Sequence, residues 1–575
     1  MVKVKFINEN IIIEVESGTK LSECIRIAKL SIETPCNCMG LCGKCRVKVL
    51  GEMYPPTLVE ENFILNEENI RLACMAKVLG DVEVELMYTN TKLNTINNGY
   101  SIEVEVNNEI KKIRLPEMDK TSYIPYIETI KKNINSISVF EKIAKLNRQE
   151  QSEIYGVCFD NDIIDIISEN TIILGVAIDI GTTGISAYLV NLETGEVIDK
   201  SSSLNPQTEY GSDVLSRITF AINNEEGTKV LRDCIVDKIN QMIKDLVNTN
   251  YEVDNVYRIM IAANTTMLHF FAGINPYSIA KAPYRAIFLN KLDISSSEVG
   301  ICISREGIIT LLPSASAYVG ADILAGIAAI DFHKKRNCSI FIDIGTNGEI
   351  VLISEGKMVA TSTAAGPALE GMNISCGSRA EEGAIDSFHI DDEYNISFTT
   401  IGGIKAKGIC GSALIDISAY MVLKEIIHKS GRFNNNINHK ILGKVRDKKF
   451  YITDEIYISQ KDIRQIQLAK GAISAGISML LREAKVTLDM VEEIVIAGAF
   501  GYHVNAENIK TIGLIPKGFN GNITFVGNSS IEGARLALIN SDILETIISF
   551  KDNIEIVELS TKDEFQDFFV GALSF

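Results

Sequence analysis

Residues Ile178–Ser186 read IDIGTTGIS, and residues Ile342–Ile350 read IDIGTNGEI. Each copy follows a short apolar run, LGVA before the first and SIF before the second. The pattern predicts, twice over, a buried strand, a glycine turn and a second strand. Asp179 and Asp343 stand 164 residues apart, too far for a stacked repeat. That spacing fits two similar half-domains facing each other.

The turn chemistry is that of an anion site. Gly181 and Gly345 permit a left-handed backbone and leave N–H groups free to face an anion. Thr182, Thr183, Thr346 and Asn347 add side-chain donors, and Gly348 leads out of the second turn. Asp179 and Asp343 end their strands, where a carboxylate can hold Mg²⁺, usually through water. One D-x-G-T alone also makes an ordinary hairpin; two copies after buried strands favour the phosphate reading.

The pair resembles the two phosphate loops of the acetate kinase, sugar kinase, Hsp70 and actin superfamily. VEEIVIAGAFG (491–501) resembles that superfamily's adenosine motif, which implies that Gly498 and Ala499 lie against a nucleotide. TFVGNSSIEGARLAL (524–538) resembles its closing segment, with Gly527 and Asn528 at the turn. No G-x-x-x-x-G-K-[ST] occurs, so this is not a P-loop protein.

A length of 575 residues predicts more than one core. The composition, 46% hydrophobic and 23% charged, is that of an ordinary globular protein. A formal charge of −18 argues against nucleic acid or anionic membrane as partner. The opening MVKVKFINENIIIEVESG alternates like a hairpin, unlike a signal peptide, and no apolar run approaches the ~20 residues of a membrane span. A cytoplasmic location is the expectation.

Six of the twelve cysteines, Cys24, Cys36, Cys38, Cys42, Cys45 and Cys74, fall in the first 75 positions, and such clustering implies a ligand set rather than disulfides. The spacing Cys36-x5-Cys42-x2-Cys45, with Cys74 following in RLACMAKV, resembles adrenodoxin-like [2Fe–2S] ferredoxins. That resemblance implies a β-grasp fold over residues 1–95 and Cys36, Cys42, Cys45 and Cys74 as ligands, with Gly40 and Gly43 shaping the loop. Cys38 stands where relatives have a small residue, and Cys38-x3-Cys42 stays open as the ligand pair. A zinc site is the other alternative, although it normally has a second close pair. Cys24 reads as a buried helix residue, and DVEVELM as the strand closing the sheet.

Residues 96–171 read as a small connector: SIEVEVNNEIKKIRL as a hairpin, then one or two short amphipathic helices. Residues 172–575 read as the duplicated domain, in halves of about 172–337 and 338–575. In the first half, EYGSDVLSRITFA predicts a helix capped by Ser212 or Asp213. Asn264 and Thr265 form a polar loop at a strand end, where α/β domains bind ligands. His269 reads as packed more readily than catalytic. Asp322 either approaches the nucleotide or caps its helix, and Glu349 either orients a water or metal or is an exposed strand position. Cys376 and Cys410 read as buried neutral thiols.

A ferredoxin joined to such an ATPase resembles the reductive activators of corrinoid-dependent enzymes. The resemblance runs through the cysteine loop, both DIGT loops, AAGPALEG (364–371), GICGSALID (408–416), IAGAFG and GNSSIEGA. It implies a multidomain α+β and α/β chain: a β-grasp ferredoxin, a small connector, and a duplicated actin-like (ribonuclease H-like) ATPase fold. It further implies a [2Fe–2S] cluster, ATP and Mg²⁺ as cofactors, with Asp179, Asp343 and Glu349 in catalysis. The partners implied are a corrinoid protein of a methyltransferase system, a low-potential electron donor and a second copy in a homodimer. A small-molecule kinase with a redox-sensing ferredoxin, or a chaperone-like nucleotide switch, are the competing readings. No Lys or Arg within the loops offers a phosphate clamp.

Overall fold

The computed structural model describes residues 1–28, 30, 32, 45–57, 60–61, 69–86, 100–117, 119, 121–134, 136–148, 154–248, 250–498 and 504–575. The N-terminal sheet has the order β2-β1-β5-β3-β4. Its strands are β1 (Val2–Phe6), β2 (Ile11–Val15), β3 (Arg46–Met53), β4 (Ile70–Leu72) and β5 (Val78–Leu86). β5 pairs parallel with β1 and antiparallel with β3, so DVEVELM is the central strand and not the closing one. Its alternation puts Val82, Val84 and Leu86 in the core, which fixes a face but says nothing of position across the sheet. The helix Leu21–Ile27 buries Leu21, Cys24 and Ile25 against that face, the β-grasp arrangement.

The connector differs from its sequence reading. β6 (Ile110–Arg114) pairs with β7 (Tyr155–Phe159), and β7 with β8 (Asp162–Ile167); SIEVEV forms no hairpin with β6. The segment 100–107 is held elsewhere: Tyr100 N–H donates to the Val526 carbonyl, Ile102 N–H to Ala329 and Asn107 N–H to Ile539, each at 2.9 Å. An extended segment satisfied by a distant surface looks in sequence like one satisfied by its neighbour. The helix Ile137–Arg148 follows the expected amphipathic pattern, and Tyr257 Oη donates to Asp165 at 2.8 Å, joining this sheet to the next.

Two larger sheets form the rest. The first has β11 (Val197–Leu204), β10 (Gly184–Asn191), β9 (Leu174–Ile180), β12 (Val256–Ala263), β14 (Ile308–Leu311) and β13 (Leu292–Ser295), in that order. The second has β19 (Asn522–Gly527), β18 (Glu493–Gly498), β15 (Ser339–Ile344), β16 (Gly348–Ser354), β17 (Lys357–Thr363) and β20 (Ile554–Ile556). Read in corresponding directions, β11-β10-β9-β12-β14 matches β17-β16-β15-β18-β19. In each, an antiparallel hairpin carries the DIGT turn and a parallel strand lies beside it. This is the duplicated actin-like fold.

β9 and β12 are apolar nearly throughout because each is covered on both faces, as parallel strands in α/β domains are. The helix Ser529–Ile539, which follows the second sheet in sequence, packs with the first: its Ile531, Ala534 and Leu538 share a core with Val176, Ile178 and Ile261. It crosses the helix Ala321–Ala329 at backbone distance, where a side chain on Gly533 would collide with the Ala325 backbone. The helix Val214–Asn223 is capped by Asp213 in a capping box with Ser216.

Candidate functional site: the cleft between the DIGT loops and the paired thiols

The two DIGT turns face each other across one cleft. Asp179, at the end of β9, accepts hydrogen bonds from Asn528 Nδ2 (2.9 Å) and Ser530 Oγ (2.8 Å). Asn528 is also the N-cap of its helix, so the closing segment aims the first-loop carboxylate. Asp343 ends β15 beside Gly498 of β18, whose φ of +104° demands glycine. A Cβ at Gly498 would stand 2.8 Å from the Asp343 carboxylate, so the small-residue strand end is what leaves that group room. Ala499 lies outside the described residues.

Thr183 Oγ1 donates to Glu370 Oε2 at 3.0 Å, and Thr346 Oγ1 donates to the same oxygen at 3.3 Å. Glu370 thus joins a loop of the first half to a loop of the second. In sequence Glu370 carries one weak signal, a lone acid in the glycine-bounded, otherwise apolar turn AAGPALEG. Gly345 N–H closes its own turn on Asn347 O at 2.9 Å. Gly348 packs under Ile473, where a Cβ would be 2.9 Å from that side chain.

Asn264 Nδ2 donates to Thr182 Oγ1 at 3.2 Å, and its Oδ1 caps the helix Thr265–Phe271. Thr265 Oγ1 is engaged by the Ser316 carbonyl at 2.6 Å. His269 is buried and stacked on Phe288. Its Nε2 accepts from Ile287 N–H at 3.0 Å, so Nδ1 carries the proton and donates to Thr265 O at 2.7 Å. Burial pushes its pKa below the usual value. His269 is a packed neutral imidazole.

The basic group absent from the loops comes from a helix. Arg217 is wholly buried and donates to the carbonyl of Thr182, to Gly211 O at 2.9 Å and to Gln207 Oε1 at 3.2 Å. Burial lowers its pKa to about 9. It braces the first loop through the backbone.

Five carboxylates lie within one another's field. Asp343 is pushed up to about 7 by burial, then by Asp179 and Glu370. Asp322, in the first turn of its helix, is pushed up to about 8 by burial, Asp343 and Asp179. Glu349, paired in register with Asp343 and half-buried, accepts from Ser362 Oγ at 3.1 Å, and its pKa is raised well above the usual carboxylate value by burial, Asp322 and Asp343. Burial also raises Asp179 and Glu370. The set favours a cationic occupant, although among the described residues no three such side chains are placed to cage a metal directly. Carboxylate oxygens are the donors that Mg²⁺ takes, one or two at a time with waters completing its shell.

In the N-terminal domain Cys45 and Cys74 are both buried, with sulfurs 3.2 Å apart. Cys36, Cys38, Cys42, Gly40 and Gly43 lie outside the described residues. Cys45 precedes β3 and Cys74 follows β4; Ala73 N–H donates to Cys45 O at 2.8 Å, so backbone pairing brings the thiols together. Two neighbouring sulfur donors in a buried pocket fit an iron–sulfur group. The fully buried Glu60 accepts from Arg71 Nε (2.8 Å), Arg71 Nη2 (3.0 Å) and Leu72 N–H (2.9 Å), anchoring the strand two residues before Cys74. Cys24 belongs to the helix core, and burial pushes its thiol up to about 11. Cys410 is buried and held up by desolvation; Cys376 is half-buried.

Fold and sites together define a ferredoxin-type domain joined to an ATPase fold of the actin class. Residues 5–79 match the 2Fe-2S iron-sulfur cluster binding domain, residues 174–335 the RACo middle region, and residues 337–575 the C-terminal ASKHA domain of RACo. The last two models, from one family, span more than half of the chain, and the chain belongs to that family, the reductive activators of corrinoid proteins. The corrinoid activation enzyme RamQ of Eubacterium limosum is 28% identical over 564 residues, covering 92% of each chain. The [Co(II) methylated amine-specific corrinoid protein] reductase of Methanosarcina barkeri is 26% identical over 437 residues, 70% of this chain and 77% of the relative. The solved structure of a reductive activator for corrinoid, iron-sulfur protein superposes with a TM-score of 0.76 at 28% identity, covering 100% of this chain and 98% of the other. No helix among the described residues is long and apolar enough to cross a membrane.

Proposed function

We propose that this chain reactivates a corrinoid protein, delivering one electron to inactive Co(II) to restore Co(I) in a process driven by ATP hydrolysis. One observation carries the reading. A single chain holds two facing DIGT loops whose threonines meet at one carboxylate, and a ferredoxin domain whose Cys45 and Cys74 sulfurs touch. A nucleotide cleft alone would not need the thiols, nor an electron carrier the cleft.

Cys36, Cys42, Cys45 and Cys74 would hold the cluster, which when bound supplies a one-electron carrier at roughly −400 mV. A low-potential donor gives that electron, Co(II) accepts it, and ATP yields ADP and phosphate. The Co(II)/Co(I) couple is expected to be lower still, so the transfer needs a bias. A ligand shifts such an equilibrium only through different affinities for two states, and nucleotide contacts to both halves of the cleft meet that requirement. The loop N–H groups and the hydroxyls of Thr183 and Thr346 would hold the terminal phosphate. Asp343 and Asp322 would bind Mg²⁺ through water, relieving their mutual repulsion, while Asn528 and Ser530 keep Asp179 oriented. Residues 1–95 carry the electron, 96–171 set its reach, and 172–575 bind and hydrolyse nucleotide.

The test is anaerobic absorbance of a Co(II) corrinoid protein mixed with this protein, a low-potential reductant and Mg-ATP. Co(I) is expected only with ATP, and neither Cys74→Ala nor Asp343→Ala should produce it. ATP turnover without a change in the cobalt spectrum, across several corrinoid partners, would refute the reading.

A further inference from the structure

We propose that Glu370 is a positioning residue that stands in for the terminal phosphate of ATP, holding the two DIGT loops together until the nucleotide displaces it. The inference rests on the reading of the cleft as an ATP site. Thr183 belongs to the first sheet's turn and Thr346 to the second's, 163 residues later. Both hydroxyls donate to one oxygen, Glu370 Oε2, at 3.0 and 3.3 Å. A hydroxyl has one proton to give. Neither threonine can donate to a phosphate oxygen while it donates to Glu370, so the carboxylate and a phosphate compete for the same donors.

The element carrying Glu370 is anchored in the core by Ala368 and Leu369, so only the carboxylate has to move. It is the short 3₁₀ turn Pro367–Glu370, held between Gly366 at φ +75° and Gly371 at φ +80°. Both glycines occupy the left-handed region, and a side chain on Gly371 would also collide with the Ser378 backbone. Arg379 lies within the field of the carboxylate, so the charge keeps a favourable environment when the threonines release it. Glu370 also stands next to Gly345, where an added Cβ would be 3.3 Å from Oε1, so the glycine admits the carboxylate into the second loop.

Exchange of one anion for another makes the site demand a nucleotide with a phosphate long enough to reach both threonines. Adenosine and AMP leave Glu370 in place; ATP does not. The cost of displacing Glu370 is part of the binding equilibrium, and removing its charge lowers that cost.

The experiment measures Kd for Mg-ATP and for adenosine by titration calorimetry on the full chain without any corrinoid partner, comparing wild type with Glu370→Gln. Glu370→Gln is expected to bind Mg-ATP more tightly by on the order of tenfold, the size of one like-charge contact removed, and adenosine as wild type does. Thr183→Val and Thr346→Val should weaken Mg-ATP and leave adenosine unchanged. Glu370→Asp, which keeps the charge but withdraws it by one methylene, should fall between wild type and Gln, and serves if Gln folds poorly. Mg-ATP affinity in folded Glu370→Gln that is equal to or weaker than wild type would overturn the proposal. Failure of the wild-type chain to bind Mg-ATP at all would instead sink the functional reading on which it rests.

Discussion

Glu60→Gln tests how the N-terminal domain places Cys74. Glu60 is fully buried and accepts four hydrogen bonds, two from the Arg71 guanidinium, one from Leu72 N–H and a longer one from Thr57 N–H at 3.4 Å. The amide keeps the shape, loses the charge, and leaves Arg71 buried without its counter-ion. Breaking one partner of a buried pair costs about 3–5 kcal/mol. In a domain of this size 1 kcal/mol moves Tm by about 4–8 °C, so the midpoint should fall by more than about 10 °C. The cluster's visible circular dichroism reports this domain alone within the full chain, and its loss on anaerobic heating is the assay. Replacing both residues, Glu60→Met with Arg71→Met, should recover most of the loss, because two apolar groups leave no orphaned charge. A midpoint for Glu60→Gln within about 2 °C of wild type would refute the assignment of the pair as the anchor of this strand.

Asp343→Asn tests the crowded carboxylates. A folded pKa raised to about 7 means that the acid's contribution to stability is complete below the unfolded value of 3.8 and lost as pH rises through 7. The nucleotide-free variant should therefore melt with wild type near pH 4 and above it by pH 8, by on the order of 1–3 kcal/mol, while losing ATP turnover. Asn528→Ala removes a hydrogen bond from Asp179 and should lower ATP turnover with a stability loss of about 1–3 kcal/mol, read by calorimetry. Arg217→Lys cannot reproduce a guanidinium spread over Thr182, Gly211 and Gln207, and its KM for ATP should rise more than its kcat falls. His269→Gln should leave the pH profile of ATP turnover between 5.5 and 7.5 unchanged, measured as steady-state rates; a break that disappears in the variant would restore the imidazole as a catalyst.

What the sequence determined was whatever is encoded locally. Apolar runs ending in D-x-G-T read as strand and turn because a buried parallel strand needs continuous apolar residues and a phosphate turn needs glycine. The duplication followed from finding that local signal twice, and the iron–sulfur domain from cysteine spacing. The helix at Val214, its cap and the buried state of Cys24 were legible for the same reason.

Tertiary structure decided the rest. SIEVEV alternates like a hairpin strand, yet Ile102 and the flanking Tyr100 and Asn107 donate to Ala329, Val526 and Ile539, and alternation cannot name a distant acceptor. DVEVEL became central instead of terminal because its two edges are taken by β1 and β3, two strands far apart from each other in the chain and both earlier than it. Arg217 lies outside every motif, and Glu370, inside AAGPALEG, carries no sign of which loop it meets. Each became part of the site because a helix or a turn, placed by packing, brings its charge to a loop that the sequence had already marked. Hydrophobic pattern and glycine position are properties of the chain; which charge meets which loop is a property of the packed molecule alone.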